Sequence, residues 1–214
     1  MAFNWGFNYI VPSGNGWRSA AGSPEGVAAM KYYAELYNTH KVVPPGSLEN
    51  GYMETVRDLA MGQVSILFSG SHSIGNAVGI SPDIREKLAS APFPKHDRVA
   101  SRFFGAAWSI NANIDEKKQR VAFEFIKFLT NTDNQVKWSR ESDWVPTIKA
   151  ALDAPHLQVP VFEGFVRAAD NLYIPPVTTV QAKIEEHGIE AVQKALLKQE
   201  PYEKIMETLE KQIN

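Results

Sequence analysis

Five tryptophans, Trp5, Trp17, Trp108, Trp138 and Trp144, are spread along a chain of 214 residues. An indole offers a broad apolar face and a single N–H donor, so its chemistry is stacking with a hydrogen bond alongside. His72 stands after an apolar run, flanked by Ser71 and Ser73. From the residues alone His72 reads either as a hydrogen-bond donor to a ligand or as a capping or surface histidine. A single tryptophan serves more often in core packing or loop anchoring than against a ligand. Trp138, at helical spacing from Gln135, reads as a core or lobe contact, and Trp17, after Gly14-Asn15-Gly16, reads equally as an exposed anchor or a ligand contact.

Catalytic arrangements fail on inspection. A nucleophile elbow needs glycine two residues either side of the serine. Gly75 satisfies this for Ser73, but Ser71 occupies the other position. Gly14 and Gly16 lack the third glycine and the following helix of a dinucleotide fingerprint. His40, His96, His156 and His187 are scattered without metal-ligand spacing. The chain has no cysteine, which removes disulfides, thiol catalysis and thiolate metal sites. The acidic clusters Asp115-Glu116, Glu185-Glu186 and Glu207 to Glu210 alternate with lysines, the pattern of solvated helix faces rather than of a paired-carboxylate site. The expectation is binding, with no catalytic residue, cofactor or metal.

Positioning these residues falls to the elements around them. A hydrophobic fraction of 44% with 21% charged residues is that of a globular protein with a real core. A net charge of −2 leaves no footprint for nucleic acid or an anionic membrane. No apolar run approaches the roughly 20 residues that span a bilayer. The first ten residues lack a basic stretch followed by an apolar one, so no signal peptide is read there. Three strands are plausible: 5–11, which reads as a strand or as an aromatic entry segment before a turn at Pro12 to Gly16, 64–68 and 103–110. His72 then falls at a strand-to-loop transition. Helices are predicted from the cap Ser23-Pro24, over 52–61, from Ser81-Pro82 through Leu88, over 117–129, near 132–138 and 147–152, over 159–169, around Val180 to Leu196 with Gly188 inside, and from Pro201 to the end. Helices so outnumber strands that some are expected to cover a sheet supplied by residues outside the chain.

Several short segments follow one another in a characteristic order. Ser23-Pro24-Glu25-Gly26 opens a helix reading Ala28-Ala29-Met30-Lys31-Tyr32-Tyr33. Leu59-Ala60-Met61-Gly62-Gln63-Val64-Ser65-Ile66 leads into Ser69-Gly70-Ser71-His72. Ala91-Pro92-Phe93-Pro94, Phe104-Gly105-Ala106-Ala107-Trp108-Ser109-Ile110, Ala122-Phe123-Glu124-Phe125-Ile126-Lys127-Phe128-Leu129 and Trp144-Val145-Pro146-Thr147 complete the series. This series resembles the extracellular solute-binding proteins of ABC importers, of the sugar-binding type, over their C-terminal portion. The chain departs from the family pattern where His72 replaces a common tryptophan, Ala106 a second glycine and Trp144 a glycine.

The resemblance implies an α/β fold: a periplasmic-binding-protein-like (type II) C-terminal lobe, helix-rich, with part of the sheet or the partner lobe missing. It implies that residues 1–108 form the first part of that lobe, 109–155 a segment packing on the N-terminal lobe, and 156–214 the closing helices of the C-terminal lobe. It implies a small-molecule solute, a mono- or oligosaccharide, delivered to the membrane subunits of an ABC permease. The full-length protein would be extracytoplasmic, periplasmic or lipid-anchored at the outer face of the membrane. The cleft loops would place Ser71, His72, Gly105, Trp108 and Trp144 against the solute, with Trp5 lining the cleft from the start of the lobe. A fragment of a carbohydrate-active enzyme and a ligand-sensing domain without transport are the alternatives.

Overall fold

The computed structural model describes residues 2–102, 105, 107–174, 176 and 178–214. They form two compact units. The first comprises Met1–Gly51, Phe93–Arg102 and Asn171–Asn214, and the second Tyr52–Pro92 and Phe103–Asp170.

In the first unit, the 3-10 turn Ala2–Trp5 precedes the hairpin of β1 (Ile10–Ser13) and β2 (Gly16–Ser19). The strands run antiparallel with Ile10 opposite Ser19 and Pro12 opposite Trp17. The predicted 5–11 strand is thus corrected: it begins at Ile10 and runs on through Pro12 and Ser13, where the sequence pattern reads a turn. A two-stranded ribbon has only edges, where a proline costs no ladder bond that must be made. Helix α1 (Pro24–Asn38) starts as its sequence dictates, with Ser23 Oγ accepting from the Gly26 N–H at 3.2 Å and proline at the first helical position.

Two further helices of this unit, α7 (Gln181–Leu196) and α8 (Tyr202–Ile213), pack with α1. Their apolar stripes share one core of Met30, Ala34, Ile184, Ala191, Ala195, Ile205, Met206, Leu209 and Ile213, joined by Phe7, Ile10 and Ala21. Polar ties close it. The Asn38 amide donates to the Ala195 carbonyl at 3.1 Å, the Gly22 N–H to Glu210 Oε2 at 2.7 Å and the Ser19 N–H to Asn214 Oδ1 at 2.7 Å. The short strands β3 (Ser101–Arg102) and β4 (Leu172–Tyr173) pair in parallel.

The second unit is helical: α2 (Tyr52–Ala60), α3 (His72–Ile80), α4 (Glu116–Leu129), α5 (Thr132–Ser142) and α6 (Pro160–Ala168), with 3-10 turns at Pro82–Lys87, Lys149–Ala151 and Pro155–Leu157. Asp115 and Asn131 cap α4 and α5 through their side chains. Ile74, Ala154, Leu157, Val161 and Phe162 form one small core, and Val56, Ala60 and Ala77 another. Helix α4 buries nothing fully, and Val121, Phe123, Phe125 and Phe128 are each more than half exposed. Trp138 on α5 is exposed as well, so it fills no core among the described residues.

One strand expectation fails here, and another falls partly outside the described residues. Residues 64–68 form no strand, and Ile66 and Phe68 are 73% and 48% exposed. A strand needs a neighbour for its N–H and C=O groups, and no described strand lies beside this one. Of the predicted 103–110 strand, Phe103, Phe104 and Ala106 lie outside the described residues, while Gly105 and 107–110 adopt no regular structure. His72 also moves: it opens α3 rather than ending a strand in a loop. Ser73, Gly75 and Gly79 weaken the helical signal there, but burial of Ile74 and Ala77 on one face decides in its favour. Among the described residues no helix is long and apolar enough to cross a membrane.

Candidate functional site

The heads of α2 and α3 and the turn after α5 bring three rings into a row within the second unit. Tyr52 begins α2 and His72 begins α3, and their ring centroids lie 5.5 Å apart. The imidazole also stacks on the Trp144 indole, with centroids 5.1 Å apart and planes inclined by 30°. Hydroxyls and an amide surround this row. Tyr52 Oη lies 3.1 Å from Ser73 Oγ and accepts from the Asn76 amide at 2.9 Å, and Ser69 Oγ lies 2.5 Å from Ser73 Oγ.

Local geometry explains how His72 comes to lie there. A Cβ on Gly70 would sit 2.7 Å from His72 Nδ1, so only glycine leaves room for the ring in this position. Desolvation holds the His72 pKa below the ordinary histidine value, which keeps the imidazole neutral at neutral pH. A neutral ring keeps one nitrogen as donor and one as acceptor.

Ser71 ties the head of α3 to the turn after α5. It precedes α3 without a side-chain cap bond, is buried, and its Oγ accepts from the Val145 N–H at 3.1 Å. Its hydroxyl therefore holds the Trp144 turn. Ser71, His72 and Trp144 are thus brought together. Trp108 is 64% exposed on an irregular stretch that also carries the exposed Gly105. Among the described residues no ring contact joins Trp108 to the row. Trp5 belongs to the first unit, where it stacks on His96 at 3.7 Å and 11° and meets Tyr32 at 5.1 Å.

Sequence reasoning missed Tyr52, Ser73 and Asn76. Nothing in their local pattern marks them, because they meet only when α2 and α3 pack. Among the described residues no group of three or more His, Cys, Asp or Glu could hold a metal ion.

Solved structures share this fold. Maltose-bound T. maritima MalE3 superposes with a TM-score of 0.85 at 23% identity, over 99% of this chain and 55% of that one. An ABC transporter solute-binding protein from Thermotoga lettingae TMO, bound with alpha-D-tagatose, gives 0.81 at 22% identity, over 100% and 55%. The ABC substrate-binding protein of Listeria monocytogenes in complex with cycloalternan gives 0.78 at 21%, over 100% and 54%. The chain thus has a periplasmic-binding-protein-like fold and spans about half the length of these structures. The family model for bacterial extracellular solute-binding proteins matches residues 3–161, and the chain belongs to that family.

Proposed function

We propose that this chain is part of the solute-binding subunit of an ABC importer and that its solute is a carbohydrate. The observation that carries the reading is the Tyr52–His72–Trp144 row with hydroxyl and amide groups at its edge. Apolar ring faces suit the C–H side of a pyranose, and the polar groups suit its hydroxyls. The fold neighbours' bound maltose, alpha-D-tagatose and cycloalternan favour the same chemistry. In this reading the action is binding alone: two lobes close on the solute about a hinge and present it to the permease outside the cytoplasm.

Gly105 and Trp108 are further proposed contacts of the solute. The uncovered apolar face of α4 supports the expectation that 109–155 packs on an N-terminal lobe. The test is calorimetric titration of the full-length protein against mono- and oligosaccharides, with peptides and polyamines alongside. Saturable heat with a sugar upholds the reading. Heat with peptides or polyamines and none with any sugar overturns it.

A further inference from the structure

Trp144 has no regular element of its own. It directly follows a left-handed residue: Asp143 caps α5 with φ 59° and ψ 17°, and its N–H donates to the Ser139 carbonyl at 3.0 Å. Asp and Asn tolerate this conformation better than other side-chain-bearing residues. The Asp143 side chain is only 9% exposed, and its Oδ2 accepts from the Arg85 guanidinium at 2.6 Å. Arg85 comes from the 3-10 turn Pro82–Lys87, directly after α3.

A Cβ on Gly75 of α3 would stand 3.1 Å from that same carboxylate oxygen, so the glycine lets Asp143 lie against the helix that presents His72. On the far side of Trp144, the Val145 N–H is held by Ser71 at the head of α3. Residues 143 and 145 are therefore both pinned to α3 and its flanking turns, with the indole between them.

We propose that Arg85 and Asp143 are positioning residues that set the Trp144 indole against His72 and so fix the spacing of the ring row. Its functional meaning rests on the solute-binding reading of Trp144, but the geometry can be tested apart from that reading. A charge-assisted bond to a buried carboxylate is far more directional than an exposed ion pair, so one such contact can define a turn.

The experiment measures acrylamide quenching of Trp144 emission, taken as the difference from a Trp144→Phe parent, in the full-length protein carrying Arg85→Met, Asp143→Asn or Arg85→Lys. Asp143→Asn preserves the left-handed turn and the shape while removing the charge, so it separates positioning from collapse of the turn. The expected result is at least a twofold rise in the Trp144 quenching constant for Arg85→Met and Asp143→Asn. Arg85→Lys should lie closer to the parent, and the double variant should be no worse than either single change. Unchanged quenching in both Arg85→Met and Asp143→Asn overturns the inference.

Sugar titration of the same variants reads the other claim. Raised quenching with about tenfold weaker sugar binding upholds both claims. Raised quenching with unaltered sugar binding upholds the positioning role and removes Trp144 from the solute site.

Discussion

The two units solve the same packing problem to different degrees. In the first, α1, α7 and α8 turn their stripes toward one another, and a continuous core running from Phe7 to Ile213 is shut by hydrogen bonds from Ser19, Gly22 and Asn38. In the second, two small separate cores leave the aromatic side of α4 facing solvent, and of the 64–68 run Leu67 packs against one core while Ile66 stays exposed. An amphipathic sequence is only half of a packing interface. The first unit holds both halves, whereas α4 in the second carries one half without its cover.

Truncating one apolar side chain in each unit puts this contrast to its severest trial. Leu209→Ala in the first unit empties a site that is 1% exposed and should cost about 2–5 kcal/mol in chemical denaturation of the 214-residue chain. Phe125→Ala on α4 should move the same measurement by no more than about 0.5 kcal/mol, because the ring is already largely in water. Equal losses for the two would show that α4 is packed after all.

A smaller effect separates the units by pH. His72 and His156, both in the second unit, have their pKa values held below the ordinary histidine value, chiefly by desolvation. Groups of this kind favour the folded state while neutral. Their contribution is fully present above about pH 6.5, the unfolded value, and is lost as pH falls through the folded one. In the first unit Glu190 and Glu200 are held down by hydrogen bonds from Lys194 and Lys204, and they lose their contribution only further down, in the carboxylate range. Hydrogen exchange at pH 7.5 and pH 5.5 should therefore show α3 and α6 losing protection while α7 and α8 keep theirs. Loss in α7 and α8 first would reverse the assignment.

Local signals announce the helices and fall silent on partners. Ser23-Pro24 and the stripe Ile205, Met206, Leu209 and Ile213 can be read directly, because capping and the 3.6-residue period are written within one segment. The apolar content of 64–68 reports only that it suits burial; the strand itself needs a neighbour that sequence pattern does not name. The α4 stripe is equally plain, yet no core of the described residues receives it.

At the site, Ser71, His72 and Trp144 stand out by type and by family resemblance, whereas their mutual contact depends on α3, whose glycines obscure it. Arg85 and Asp143 are hidden for a further reason. An ion pair between residues distant in sequence has no local signature, and only the turn-prone Asp143 after α5 hints at it.

Whether the Tyr52–His72–Trp144 row holds the solute is decided by calorimetric titration of the full-length protein and its Trp144→Ala variant with a sugar that binds the parent. The expected result is a Kd at least about tenfold higher for the variant, a loss of about 1.4 kcal/mol. An unchanged Kd in a folded variant would contradict it.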